Sequence, residues 1–237
     1  MTRFGDLFMA RRLSVIVPTY NEAENIAELL ERVATSLKGV DFEVIVVDDG
    51  SPDGTADVAE KFGEIHGNVR VLRRPDKMGL ASAVIDGARL AESDIVAVID
   101  ADLQHPPEIM PKMLQKIEEG NDLVVASRFV EGGGVEGWGL GRSLVSKGAT
   151  ALAHFLLSET RRVKDPMSGY FMSRKNLLMG IELDPTGYKI LVEILVRNKN
   201  NSVTEVPYVF KPRLRGESKL SFKEVVRYLQ LLYKLTM

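Results

Sequence analysis

The sequence predicts an α/β fold: a mostly parallel sheet flanked by helices, with amphipathic helices towards the C-terminus. Three observations carry that expectation. Short β-branched apolar runs alternate with longer stretches of helical periodicity through the first half of the chain, the pattern of a parallel sheet covered on both faces. Two carboxylate clusters, Asp48-Asp49 and Asp100/Asp102, stand where two of those runs end, and in open parallel sheets ligands bind beyond the carboxyl ends of the strands. Apolar residues recur at helical spacing again near the end, at Phe222, Val225, Val226, Leu229 and Leu232.

In chain order, strands are expected at Leu13–Val17, Val44–Val47, Val69–Leu72, Ile95–Ile99 and Leu123–Ala126, each a short run rich in β-branched residues. Between the first two, Glu22–Leu37 places Ile26, Leu29, Leu30, Val33 and Leu37 on one helical face. Asn21 is the expected N-cap there, with Glu24 completing a capping box. Thr55–Phe62, Leu80–Leu90 and Glu108–Ile117 repeat the helical pattern. After Arg128 the alternation stops. Residues 131–141 (EGGGVEGWGLG) carry six glycines and the only tryptophan, which predicts a mobile loop able to close one large apolar side chain over a ligand. From composition alone a plain flexible linker is equally open. Val145, Ala149, Leu152 and Leu156 then recur at helical spacing.

A chain of 237 residues has room for one catalytic-size domain. The expected division is an N-terminal extension over residues 1–12, a domain over 13–220 and an amphipathic helix over 221–237. The formal net charge of −2 gives no case for nucleic acid. Charge placement is more telling. Residues 211–237 hold seven basic side chains against two acidic ones, a balance of +5 that leaves −7 for the rest of the chain. A basic tail on an acidic body predicts an anionic ligand or surface, and its apolar face predicts a helix lying at a membrane surface. Without cysteine there are no disulfides, thiol nucleophiles or thiolate metal sites. Met1–Arg12 lacks the apolar core of a signal peptide, and no run reaches the ~18 apolar residues of a membrane span, so the chain is expected to face the cytosol.

The segment Val98-Ile99-Asp100-Ala101-Asp102-Leu103-Gln104-His105 sends a strand into three oxygen-bearing side chains at alternate positions. In extended backbone, Asp100, Asp102 and Gln104 would project to one side. Such hard oxygen donors suit Mg²⁺ or Mn²⁺, whose shell substrate phosphates complete. The alternative is a solvated acidic loop. The first strand runs into Val17-Pro18-Thr19-Tyr20-Asn21-Glu22, offering Tyr20 as a stacking surface, while Glu22 and Asp49 can accept hydrogen bonds from a base edge or ribose. Neither Gly-x-Gly-x-x-Gly nor a Gly-x-x-x-x-Gly-Lys phosphate loop stands after this first strand. His66, His105 and His154 are too scattered for a metal triad, and His105 reads as a loop residue beside Gln104.

Taken together, Val-Pro-Thr-Tyr-Asn-Glu (17–22), Val-Asp-Asp-Gly-Ser-Pro-Asp-Gly-Thr (47–55), Met-Gly-Leu-Ala-Ser-Ala (78–83) and Asp-Ala-Asp-Leu-Gln-His-Pro-Pro-Glu (100–108) closely resemble glycosyltransferase family 2. Asp165-Pro166-Met167-Ser168-Gly169-Tyr170 and the basic Arg213 and Lys219 resemble its polyprenyl-phosphate branch. The resemblance spans about residues 13–220 and implies a GT-A (Rossmann-like) fold. It further implies inverting transfer of mannose from GDP-mannose to dolichyl (polyprenyl) phosphate with Mg²⁺ or Mn²⁺. The work would be done on the cytoplasmic face of a membrane, the cell membrane or the endoplasmic reticulum, with a C-terminal membrane segment beyond this chain in some members. Pro18, Tyr20, Glu22, Val47 and Asp49 fall on positions that hold the guanosine; Asp100 and Ala101 line the nucleotide-sugar; Asp102 and Gln104 ligate the metal. Arg128, Arg213 and Lys219 fall on phosphate-contacting positions, and Arg142 and Ser168 are the candidates for gripping the acceptor. The groups expected to act at the reacting centre are Asp100, Asp102 and Arg128.

Other readings stay open at this point. Within the family, the donor could be UDP-glucose or another UDP-sugar. An aspartyl phosphatase or phosphotransferase with Asp100 as nucleophile also places Asp-x-Asp after a strand, though there after the first strand. A sugar-nucleotide-binding module without turnover is the third.

Overall fold

The computed structural model describes residues 12–181, 183, 189–213 and 222–237; residues 1–11 and Lys219, for which the sequence raised expectations, lie outside the described residues. The elements run β1 (Leu13–Thr19), α1 (Ala23–Ser36), β2 (Phe42–Asp48), α2 (Thr55–His66), β3 (Val69–Arg73), α3 (Leu80–Leu90), β4 (Ile95–Val98), a 3₁₀ turn (Pro107–Ile109), α4 (Met110–Glu118) and β5 (Leu123–Ser127). Then follow β6 (Gly134–Val135), α5 (Leu140–Leu156), a 3₁₀ turn (Ser158–Arg162), β7 (Phe171–Arg174), α6 (Asn176–Met179), α7 (Ile190–Arg197), β8 (Val203–Pro207), β9 (Val209–Phe210) and α8 (Phe222–Thr236).

Seven strands form one sheet in the order β3-β2-β1-β4-β7-β5-β8. Neighbours are parallel except β7, which runs against both β4 and β5. The alternation of side chains along β1 decides what covers each face. Val15 and Val17 join α1 and α4 through Ile26, Leu29, Leu30, Met113 and Ile117. Ile16, pointing the other way, joins α3 and α7 through Val84, Ala88, Leu191 and Ile194. All seven residues of β1 and of β2 are buried, which is why both read as continuous apolar runs.

The reversed strand matters for the site. Because β7 begins at Phe171 opposite Val98 of β4 and Val125 of β5, the segment that leads into it, Asp165–Tyr170, lies beyond the carboxyl ends of both. The parallel pairing of β8 with β5 ends at Ser127 opposite Pro207, so the chain after β8 continues past the same edge.

Three expectations need correction. Asn21 does not cap α1: it has a left-handed backbone (φ 57°), Glu22 takes the cap position, and the Glu22 side chain accepts no backbone N–H of the helix. The first helical donors are instead met from the β2–α2 loop, where Asp53 Oδ2 accepts the Ala23 N–H (3.1 Å) and Thr55 Oγ1 accepts that of Glu22 (2.9 Å). The glycine-rich stretch is no free linker either, since Gly134 and Val135 pair with Val209 and Phe210 as a two-stranded ribbon. Gly133 is obligatory there, because a Cβ would stand 2.7 Å from the Ser127 carbonyl oxygen. Finally, α8 turns Tyr228, Leu231 and Leu232 inward, where Tyr228 Oη donates to the Ala149 carbonyl (2.7 Å). Of the expected face, Leu232 is buried while Val225, Val226 and Leu229 are exposed.

Candidate active site

The residues expected to face a nucleotide gather at the carboxyl ends of β1 and β2. Pro18 pairs with Val47 in register, and the Val47 side chain packs into the core with Ile16 and Ile45, so any ligand contact it makes runs through its backbone. Asp48 is committed to structure: it accepts the Thr19 hydroxyl (3.1 Å) and the Ser51 N–H (2.9 Å). Asp49, buried, accepts the Gly79 N–H at 3.0 Å and forms an ion pair with Arg74. Arg74 in turn reaches Ser82 (2.7 Å), the Gly79 carbonyl (3.0 Å) and Asp86 (3.3 Å). This network braces the first turn of α3 against β2, and an open hollow of about 390 Å³ lies beside it, lined by Leu72, Arg74, Met78 and Asp86 among others. Tyr20 is half-buried, with the Lys77 ammonium 3.9 Å from its ring centre. Glu22 accepts the Asn25 amide at 2.8 Å.

Past β4 the backbone does not stay extended. Leu103 is left-handed (φ 62°) and buried, and residues 101–103 form a turn. The expected alternate-position convergence of Asp100, Asp102 and Gln104 is therefore not how these groups are arranged, because a turn breaks the period of two. Asp102 is buried; its Oδ1 accepts the Gln104 N–H (3.2 Å) and its Oδ2 accepts Arg213 Nη2 (2.6 Å). The Gln104 amide nitrogen donates to the Lys211 carbonyl (3.0 Å), which ties this turn to the segment after β9. Asp100 remains partly exposed, with His105 Nε2 3.4 Å from its Oδ2. Burial works to raise its carboxyl pKa, but the contact with His105 and the positive charges of Lys189 and Arg213 hold it below the usual carboxylate range. Ala101 is buried beneath the turn.

The third wall comes from β5 onward. Arg128 is buried and bonds Asp165 bidentately, Nε to Oδ2 and Nη2 to Oδ1, both at 2.7 Å. Burial alone would lower its pKa; the Asp165 carboxylate outweighs that and raises it. The ring centres of Trp138 and Phe210 lie 5.4 and 5.7 Å from its guanidinium carbon. Trp138 meets Phe210 edge-on (5.4 Å) and carries the Arg142 guanidinium at 4.6 Å. Partial burial, then the like charges of Arg213 and Arg128, push the Arg142 pKa down, against a smaller pull from Asp102. Three guanidiniums thus share one field. A cavity of about 250 Å³ opens among Arg128, Phe129, Val135, Trp138, Ser143 and Lys147. Ser168 spends its hydroxyl on the turn into β7, donating to the Tyr170 carbonyl (3.2 Å).

The fold thus brings Asp100, Ala101, Asp102, Gln104, Arg128, Arg142, Ser168 and Arg213 to one edge of the sheet, with Pro18, Tyr20, Glu22 and Asp49 further along it. Sequence reasoning missed Asp165, Arg74 and Lys77 and passed over His105. Asp165 lay inside a motif already singled out, so its charge was the available signal; Arg74 and Lys77 followed a strand without periodicity or motif to mark them. For a divalent cation, the donors that fit are the hard oxygens of Asp102 and Gln104, and Arg213 already sets a positive group on Asp102. Among the described residues no cluster of three His, Cys, Asp or Glu forms a site by itself, so any such ion would need substrate oxygens to complete its shell.

A mostly parallel sheet whose strand ends collect acidic turns opposite guanidiniums frames the site, and the chain belongs to glycosyl transferase family 2, whose model matches residues 14–180. Its relatives are more particular. It is 47% identical over 224 residues to the dolichol-phosphate mannosyltransferase of Pyrococcus furiosus, spanning 94% of this chain but 63%, under two thirds, of that protein. The dolichol-phosphate mannosyltransferase of Saccharomyces cerevisiae is 34% identical over 96% of this chain and 88% of its own length. Among solved structures, the glucosyl-3-phosphoglycerate synthase of Mycobacterium tuberculosis, in complex with Mn²⁺, uridine diphosphate and glucosyl-3-phosphoglycerate, superposes with a TM-score of 0.72 at 23% identity, over 95% of this chain and 78% of that one. That likeness establishes the GT-A fold.

Proposed function

We propose that this chain transfers mannose from GDP-mannose to dolichyl or another polyprenyl phosphate, inverting the anomeric centre. The observation that carries the reading is the meeting of Asp102 with Arg213, beside Arg128 and Arg142, at one edge of the sheet. Such a site holds two anions at once, a diphosphate and a phosphate, and counters the charge that grows on the leaving diphosphate. The acceptor phosphate, with a second pKa near ~6, is largely dianionic at neutral pH and attacks without a general base. The protein's task is then alignment: Asp100 and Ala101 line the sugar, Asp49 and Glu22 accept from the guanosine, and Arg142 with Arg128 holds the acceptor near the cavity by Trp138. A divalent Mg²⁺ or Mn²⁺, held by Asp102 and Gln104, would supply further charge neutralisation for the diphosphate.

The proposed lipid acceptor implies work at a membrane, and the cytoplasmic face is the side expected from the sequence. Exposed Leu144 (72%), Phe155 (77%) and Tyr233 (64%), with Val145, Leu156 and Leu229, put apolar surface on α5 and α8, which supports a surface-lying mode of attachment. No helix among the described residues is long and apolar enough to cross a membrane. The test is transfer of radiolabel from GDP-mannose, UDP-glucose and UDP-N-acetylglucosamine, each with polyprenyl phosphate and Mn²⁺, into the lipid phase. Label arriving only from GDP-mannose is the expected result. Label from a UDP-sugar alone would overturn the donor, and none from any would overturn the transfer.

A further inference from the structure

His105 is 4% exposed and sits in a box of three aromatic rings, 5.2 Å from Phe210, 5.4 Å from Tyr208 and 5.6 Å from Tyr170 between ring centres. Those rings come from the turn before β7 and from the chain after β8, so they fix the plane of the imidazole from separate parts of the fold. Its Nδ1 is buried without a hydrogen-bond partner among the described residues. Burying an imidazole with one nitrogen unmatched is costly, and phenylalanine would fill an aromatic box without that cost. The polar contact His105 does offer is from Nε2 to Asp100 Oδ2, at 3.4 Å. A Cβ at Gly169 would stand 3.0 Å from the same oxygen, so the backbone entering β7 also lies close against it.

Building on the function proposed above, we infer that His105 is a positioning residue, which aims the Asp100 carboxylate at the donor sugar while touching no substrate itself. The aromatic box holds the ring, the ring's N–H holds Oδ2, and Oδ1 is the oxygen left to the ligand. A carboxylate so held loses little freedom when the sugar arrives, whereas an unheld one would have to be ordered at the expense of the transition state.

The experiment compares His105→Phe, His105→Gln, Asp100→Asn and the double variant His105→Phe/Asp100→Asn. His105→Phe keeps the packing and should keep thermal stability and GDP affinity within about twofold, while kcat for sugar transfer falls at least about tenfold. Glutamine, which can bring an amide N–H to the Nε2 position, should recover most of that loss. In the Asp100→Asn background the phenylalanine change should add nothing. Equal activity of His105→Phe and the parent, no rescue by glutamine, or a full multiplicative loss in the double variant would each overturn the assignment. A crystal structure of His105→Phe supplies a readout independent of the reaction: the Asp100 side chain should leave its parental rotamer. An unmoved carboxylate refutes the role of His105. Failure of the parent to transfer any sugar refutes the reaction instead.

Discussion

Arg213 donates from Nη2 to Oδ2 of Asp102 at 2.6 Å although 111 positions separate them in the chain. The carboxylate expected to face a cation therefore already faces one. A diphosphate entering here would compete with Asp102 for Arg213 and draw the guanidinium onto itself, which is favourable because a bidentate Arg–phosphate contact is short and charge-assisted. Asp102→Ala should then nearly abolish transfer and its dependence on divalent cations, whereas Arg213→Ala should weaken nucleoside diphosphate binding by about tenfold or more. Calorimetric titration with GDP, with and without Mn²⁺, checks both. Full activity of Asp102→Ala in chelator would remove the metal from the account.

The Arg128–Asp165 pair is buried at both ends, with side-chain exposures of 7% and 0%. Breaking one side leaves an uncompensated charge in the interior. Asp165→Asn is expected to cost about 3–5 kcal/mol in urea unfolding, more than any exposed ion pair of the surface, such as Arg32–Glu108, which should be worth under ~1 kcal/mol. An Asp165→Asn protein as stable as the parent would mean that Arg128 finds another partner.

Asp53 gives a pH signature. Slight burial works to raise its pKa, but hydrogen bonds from the Thr55 hydroxyl, the Ala23 N–H and the Thr55 N–H lower it below 3.8. A group whose folded pKa is depressed stabilises the fold above its unfolded pKa, and that contribution fades as pH falls through the lower folded value. Asp53→Asn should thus be less stable than the parent at neutral pH, by about 1 kcal/mol as for a lost helix cap. The gap should close as pH falls below about 4. A gap unchanged down to pH 2 would show that the charge is immaterial.

Trp138 is the only tryptophan in the chain, and it packs between Phe210 and the Arg142 guanidinium. Its emission therefore reports on the cavity proposed for the acceptor phosphate. Adding a short-chain polyprenyl phosphate should change its intensity and slow amide exchange over residues 131–141; Arg142→Ala should abolish both responses. Unchanged emission and exchange at saturating acceptor would mark residues 131–141 as a fixed scaffold.

Membrane attachment is tested by co-sedimentation with vesicles of rising anionic lipid content. Phe155→Glu together with Leu229→Glu changes exposed positions only and should leave folding intact while cutting binding at least about tenfold. Parental binding should also fall with salt, since basic residues near the surface contribute about 1 kcal/mol each. Identical binding by parent and double variant would move the contact elsewhere.

The first half of the fold was legible because burial on both sheet faces writes itself as near-continuous apolar runs in β1, β2, β4 and β5, and the edge strand β3 (VRVLR) still carries a β-branched pattern: all five expected strands exist, and α3 covers the expected residues. The second half was not. Four-residue β7 and the mixed polar pattern of β8 (VTEVP) carry no period long enough to read. They are strands because β4 and β5 leave open edges that need pairing. The same reason hid the geometry around Asp102: its partner Arg213 was marked only by resemblance, and the left-handed Leu103 breaks a spacing rule that assumes extended backbone. Asn21 failed as a cap because a neighbouring loop reached the helix first.

The edge position of β8 carries one further consequence, for the order of events in folding. The matched family region closes at residue 180, yet β8, β9 and Arg213 all come later. A chain still being synthesised would thus hold β5 as a bare sheet edge until residue 207 has emerged, open to pairing with another molecule. Only when β8 zips onto it do Lys211 and Arg213 arrive at the Asp102 turn. Such distant pairings are the slow ones to form, so catalytic competence is expected to appear late, in step with protection of the β5–β8 ladder.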